Sequence, residues 1–137
     1  MENACLSAIK NENNRSIARD LVFRCGVRAD LKGCQYLIDA VIIYGSNLCT
    51  SFCRIYGIIG KLRGRRQKAV EHSISYAICQ APDIKMYLSK LIGVEVKESH
   101  NGLVISYLGS LFGSIRRAAN DYPDTDEYYK DSNDGLA

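Results

Sequence analysis

Residues 56–79 read YGIIGKLRGRRQKAVEHSISYAIC and contain two short helical patterns separated by Gly64. Ile58, Ile59 and Leu62 form the apolar stripe of the first pattern. Gly64 is suited to end that helix because glycine adopts the left-handed conformation without steric cost. The second pattern has apolar residues at the i, i+4, i+7 and i+8 positions of one helix face: Val70, Ile74, Ala77 and Ile78. Two short helices joined by a tight turn are typical of a helix-turn-helix.

The helix-turn-helix pattern, which extends over about residues 56–80, coincides with a strong cluster of positive charge. Residues 54–68 include six basic side chains and no acidic one: Arg54, Lys61, Arg63, Arg65, Arg66 and Lys68. Such a cluster is typical of a surface that binds nucleic-acid phosphates. A solvated helix face without a ligand is the alternative interpretation. The predicted phosphate contacts are Lys61, Arg63, Arg65 and Arg66.

The exposed face of the second helix carries side chains that suit the reading of base edges. These side chains are Gln67, Lys68, Glu71 and His72. Glutamine pairs with adenine, lysine pairs with guanine, and glutamate accepts a hydrogen bond from cytosine N4. We therefore predict that these four residues read bases in the major groove, with a solvent-exposed helix surface as the alternative for each.

Helical periodicity continues outside this motif and predicts an all-α fold. A long apolar stripe lies in the helix expected between about Leu31 and Tyr44, with Pro82 and Gly93 bracketing a later helix. The last helix is expected from Gly102 to Ala119. Residues 94–97 alternate between apolar and charged and are expected to form a short extended piece. The prediction is a compact bundle of about six helices.

Charge divides the chain into unequal parts. The net charge of the whole chain is +3, yet residues 121–137 contain six acidic residues and one lysine and carry −5, so the remainder carries +8. We predict a flexible N-terminal arm at residues 1–14, a helical domain at 15–119 and an acidic, mobile tail at 120–137. A length of 137 residues is consistent with one such domain.

Several classes of protein are disfavoured by the sequence. No apolar run approaches the roughly 18 residues of a membrane span, and the N-terminus lacks the basic start and apolar core of a secretory signal. We expect a cytoplasmic protein without membrane association. An enzyme is not predicted, because neither His72 nor His100 lies in a nucleophile motif and no glycine-rich phosphate loop follows a strand pattern.

The six cysteines show no Cys-x-x-Cys spacing. Cys49 and Cys53 together with His72 would supply only three soft ligands. We therefore predict free thiols, no metal and no cofactor.

Three stretches carry a family resemblance. Residues 26–41, GVRADLKGCQYLIDAV, match a Gly-Val-x-Ala-x-Ile-Lys-Gly block followed by Tyr-Leu and Ala. Residues 56–78 match a helix-turn-helix through Ile59, Lys61, Val70, Glu71, Ile74, Ala77 and Ile78. Residues 88–96, LSKLIGVEV, match the segment before a last helix. Together these stretches resemble the C-terminal effector domain of the stage-zero sporulation response regulator of endospore-forming Firmicutes, over about residues 16–118.

The resemblance implies transcriptional control by a helical response regulator effector domain whose recognition helix enters the major groove. It also implies homodimeric pairing on tandem DNA sites and contact with the sigma subunit of RNA polymerase. The chain departs from the family in one base-reading pair, because Glu71 is followed by His72 where the family has arginine. Nothing in the chain resembles the family's receiver domain, so we expect a freestanding effector domain or a fragment.

A protein-interaction or anti-regulator module is the alternative function. Such a module would keep the fold but lack sequence-specific DNA readout. The missing arginine motivates this alternative, as does an acidic tail able to cover the basic face and compete with DNA.

Overall fold

A computed structural model describes residues 2–121, which form seven α-helices and contain no strand. Their bounds are α1 Glu2–Lys10, α2 Glu12–Arg24, α3 Lys32–Gly45, α4 Phe52–Arg63, α5 Gln67–Cys79, α6 Ile84–Ile92 and α7 Asn101–Asp121. The predicted all-α bundle is confirmed, with seven helices in place of about six. Of the tail predicted at 120–137, residues 120–121 belong to α7 and residues 122–137 lie outside the described residues.

Helix α3 forms the centre of the bundle. Its sequence is apolar on more than one face, which is typical of a helix surrounded by protein. Ile38 and Ile42 are fully buried, and α3 packs against α2, α5 and α7. Because α5 packs directly against α3, the central helix fixes the position of α5, the candidate recognition helix.

Helices α3 and α7 approach each other closely at glycines. A Cβ atom at Gly109 would lie 2.5 Å from Cδ1 of Tyr44, and one at Gly45 would lie 2.5 Å from Cδ1 of Phe112. Glycine in a helix costs about 1 kcal/mol in helix propensity. Here it permits a close approach of two long helices, and Phe112 at this contact is fully buried.

The prediction of a flexible arm at residues 1–14 is wrong. Residues 2–10 form α1, whose Cys5 and Ile9 are buried in the common core. The polar residues that suggested an arm connect two helices instead. The Asn14 backbone N–H donates to Oδ1 of Asn11 at 2.9 Å, and Nδ2 of Asn14 donates to the Ala8 carbonyl at 2.9 Å. Asparagine caps a helix in this way because its side chain satisfies backbone groups that the helix leaves unpaired.

The segment between α6 and α7 forms no regular structure. Gly93 ends α6 with φ of +79°, and the Val96 backbone N–H donates to Oγ of Ser89 at 2.9 Å. The predicted extended piece at 94–97 therefore binds back to α6 without pairing in a sheet. Within residues 2–121 no helix is both long enough and apolar enough to cross a membrane.

The cysteines differ sharply in exposure. All six thiols are free; Cys53 and Cys79 are exposed and the other four are buried. Burial raises the pKa of Cys25 to about 12 and that of Cys34 to about 11. Thiolates are the reactive form of cysteine, so buried thiols with raised pKa values react slowly.

We expect a thiol-reactive reagent at pH 8 to modify Cys53 and Cys79 rapidly in the folded protein. The four buried thiols, including Cys25 and Cys34, should react only after urea is added. Mass spectrometry of the peptides after timed labelling measures this difference. Rapid labelling of Cys25 without denaturant would contradict the described core.

Candidate nucleic-acid interface

Helices α4 and α5 meet at a three-residue turn, Gly64 to Arg66. Gly64 has φ of +68° and ends α4, as glycine does in many helix C-terminal caps. The Arg65 N–H donates to the Gly60 carbonyl at 2.7 Å. A Cβ atom at position 60 would overlap the Arg65 carbonyl oxygen. The turn thus depends on glycine at two positions, of which the sequence predicted Gly64.

Helix α5 packs against α3, α4 and α7. Its inner face is buried through Val70, Ile74, Ala77 and Ile78. On one side, Gly33 of α3 lies so close to Ser73 that a Cβ atom there would overlap the Ser73 carbonyl. This packing leaves the opposite face of α5 outward.

Asn101, the first residue of α7, holds α5 by two hydrogen bonds. Its Nδ2 donates to the Glu71 carbonyl at 3.1 Å, and its Oδ1 accepts from Oγ of Ser75 at 3.1 Å. Glu71 and Ser75 are one helical turn apart. Together with the buried inner face of α5, these two hydrogen bonds fix the rotation of the helix about its axis and so the direction of its exposed residues.

The predicted base-reading residues share the outer face of α5. Gln67, Lys68 and His72 are exposed, while Glu71 is half-buried. In the turn, Arg65 and Arg66 are exposed as well. Among residues 2–121, none of Arg65, Arg66 and Lys68 forms an ion pair. Within the described part of the chain, three cations at one corner of the molecule therefore have no acidic partner.

The other two predicted phosphate contacts are already paired. Nζ of Lys61 lies 2.9 Å from Oε1 of Glu2, both exposed, and this contact lowers the pKa of Glu2. The Arg63 guanidinium binds Asp39 through Nε at 2.9 Å and Nη2 at 2.8 Å. Hydrogen bonding to Asp39 raises the pKa of Arg63. Arg63 thus has a structural role that its position in a basic cluster did not reveal.

Asp39 is fully buried between two arginines. Arg15 of α2 donates to Oδ1 of Asp39 through Nη1 at 3.0 Å, and Arg63 of α4 binds from the other side. The cluster joins three helices. Arg15 and Arg63 each lie 24 positions from Asp39 in the sequence, one before it and one after it. The one signal that sequence could have offered is an aspartate within the most apolar stripe of the chain.

Lys32 is a further basic residue beside α5 that the sequence analysis missed. It lies at the start of α3 and lines a pocket of about 420 Å³ together with His72, Tyr76 and Asp30. Lys32 is exposed, and Asp30 pairs with Arg28 at 2.7 Å. Forty positions separate Lys32 from His72, so only the packing of α3 against α5 brings them together.

The described part of the chain contains no group of three or more His, Cys, Asp or Glu side chains arranged to hold a metal ion. Cys49 is buried, whereas Cys53 and His72 are exposed on different helices.

Comparison of the chain with protein-family models, with curated proteins and with solved structures gives no match in any of the three.

Proposed function

We propose that the protein is a DNA-binding transcriptional regulator that places α5 in the major groove of duplex DNA. The observation that carries the proposal is the corner formed by Arg65, Arg66 and Lys68. These cations are exposed and, within residues 2–121, unpaired. They lie at the N-terminal end of α5, where the unpaired N–H groups and the helix dipole also favour phosphate.

In this proposal the turn residues bind phosphates and the outer face of α5 reads bases. Arg65 and Arg66 set the position of the domain on the duplex without reading sequence. Gln67, Lys68 and His72 project from the same helix and approach base edges, and Glu71 takes part through its half-buried carboxylate. The hydrogen bonds of Asn101 supply the preorganisation that specific contacts need.

The likeness of residues 16–118 to the sporulation effector domain supports transcription control as the process. It also supports pairing of two copies on tandem sites and contact with the sigma subunit of RNA polymerase. These remain proposals for this chain. His72 in place of the family's arginine implies a different preferred DNA sequence, since histidine lacks the bidentate fork that arginine offers to guanine.

Selection of bound sequences from random duplex DNA tests the proposal. We expect an enriched motif that the full chain binds at least about a thousandfold more tightly than a scrambled duplex. Weak binding that disappears with added salt, without an enriched motif, would contradict a sequence-specific regulator.

The variant Arg65→Ala/Arg66→Ala is expected to weaken binding to every duplex, whatever its sequence. Each lost phosphate contact should reduce the slope of log K against log salt by about 1. Fluorescence anisotropy at several salt concentrations measures both quantities. The matched control is Arg19→Ala/Lys90→Ala, which removes exposed cations from α2 and α6 and should leave the slope nearly unchanged. Equal effects of the two variants would contradict the assignment of the corner.

A protein-interaction module is the second candidate function. The observation in its favour is Tyr76, which lies on α5 and is 56% exposed. Exposed aromatic residues are enriched at protein interfaces. If this function holds, Tyr76→Ala should abolish partner binding while Arg66→Ala and Lys68→Ala leave it intact. The regulator proposal predicts the reverse order of effects on DNA binding.

A further inference from the structure

A pocket of about 350 Å³ lies where α1, α2 and α4 meet. Its polar lining consists of three basic side chains and one acidic one: Lys10, Arg15, Arg63 and Glu12. The remaining lining is apolar and comes from α1 and α4. A pocket of this size falls within the range of small-ligand sites, and its charge is set by residues from three helices.

The two arginines in this pocket keep hydrogen-bond donors free. Arg15 uses three of its five N–H bonds, for the Ile9 carbonyl, Asp39 and Gln35. Arg63 uses two, both for Asp39. The other N–H groups, including Nε–H of Arg15, have no partner among residues 2–121. The arginines are therefore positioned by Asp39 without being saturated by it.

Charge in the pocket is not balanced by Asp39. One buried carboxylate faces two guanidinium groups, so the cluster of Arg15, Asp39 and Arg63 retains one positive charge. Lys10 adds a second, and Glu12 removes one. Arg15 is only 14% exposed, and a partly buried charge is weakly screened by solvent and salt. The pocket therefore carries a net charge of +1, and the contribution of Arg15 to it is less screened than that of a surface lysine.

We propose that this pocket binds a phosphate group, supplied either by the DNA backbone or by a free phosphorylated small molecule. Guanidinium groups match the oxygen geometry of phosphate through paired N–H donors. A pair of arginines fixed by a shared carboxylate offers these donors without the entropy cost of ordering two long side chains. The phosphate site does not depend on the proposed function; only its use for DNA rests on that function.

Inorganic phosphate and pyrophosphate are the first probes, added to the ¹⁵N-labelled full chain at constant ionic strength with chloride as the reference. We expect saturable shifts of the side-chain Nε–H resonance of Arg15, which has no partner in the described structure. Lys10→Gln should weaken binding about threefold and Glu12→Gln should strengthen it about threefold, since each changes one charge at the rim. Lys90→Gln, on α6, is the matched control and should have no effect. None of these variants touches Asp39, so the fold is retained.

A random-sequence duplex forms the second arm and identifies the source of the phosphate. If the backbone of DNA occupies the pocket, Lys10→Gln reduces the salt slope of DNA binding by about 1, and Glu12→Gln strengthens binding. If a free phosphorylated molecule occupies it, both variants change pyrophosphate affinity and leave DNA affinity unchanged. A chain that binds no DNA would contradict the proposed function and leave the phosphate arm decisive. Absence of a saturable shift with both probes, together with no effect of either variant, would overturn the proposal and leave the arginines a purely structural role.

Discussion

Replacing Asp39 by asparagine is expected to lower the free energy of unfolding by about 3–5 kcal/mol. Asp39 is fully buried, and its carboxylate accepts hydrogen bonds from Arg15 and Arg63 at 2.8–3.0 Å. Asparagine keeps the shape but removes the negative charge, so two guanidinium groups would face each other across a neutral amide. A domain of this size has a total free energy of unfolding of roughly 5–15 kcal/mol. The substitution would therefore remove a large part of the stability of the fold.

Urea denaturation followed by circular dichroism measures the effect as a shift of the midpoint at constant slope. The matched control is Asp20→Asn, because Asp20 pairs with Arg24 one turn away on α2, with both side chains more than half exposed. Exposed pairs of this kind contribute about 0.2–0.5 kcal/mol. If Asp39→Asn costs no more than Asp20→Asn, the buried cluster does not hold the three helices together.

Replacing Gly33 by alanine is expected to cost about 3 kcal/mol, at the upper end of typical overpacking effects. The new Cβ would overlap the Ser73 carbonyl and lie 2.8 Å from the Ala77 Cβ, both on α5. Backbone cannot rotate out of the way as a long side chain can, so α5 must move away from α3. The same movement should weaken DNA binding, since it displaces the exposed face of α5.

The control is Gly57→Ala on α4, where the Cβ would meet only the Gln67 side chain at 3.5 Å, an ordinary contact. Alanine favours a helix over glycine by about 1 kcal/mol, so Gly57→Ala should stabilise the protein slightly. Thermal unfolding and DNA affinity of the two variants provide the comparison. A Gly33→Ala protein as stable as Gly57→Ala would show that the α3–α5 contact is not close.

Features that depend on residues close together in the chain were predicted correctly from the sequence. Gly64 and Gly93 were assigned to helix ends, and both have positive φ there, because a left-handed residue is a local requirement that glycine meets. The inner face of α5 was assigned in full, from Val70 to Ile78. Spacing along one helix determines which side chains share a face, whatever lies opposite.

The errors occurred where a residue's partner is distant in sequence. Asn11 and Asn14 lie in the stretch predicted to be a flexible arm, yet Asn11 caps α2 and Asn14 binds the end of α1. The sequence placed Arg63 in a basic cluster and gave no sign that its guanidinium binds Asp39, 24 positions away. A polar side chain needs a hydrogen-bond or ion-pair partner, but the sequence does not show whether that partner is water, a ligand or a buried group.

The candidate interface shows the same division. Arg65, Arg66 and Lys68 are adjacent in sequence, so their common location followed from the chain itself. The approach of Lys32 to His72 and the hydrogen bonds of Asn101 could not be predicted in this way, because their partners are distant in sequence.

By itself, then, the sequence determined the helical elements other than α1, the boundaries set by glycine and the position of the basic corner, because all three depend on interactions within a few residues. Only the tertiary structure decided which cations remain available and which are bound by Asp39 or Glu2. It alone created the pocket between α1, α2 and α4. The physical reason is that ion pairing depends on distance in space, and packing α2, α3 and α4 together brings into contact charges that the chain keeps 24 residues apart.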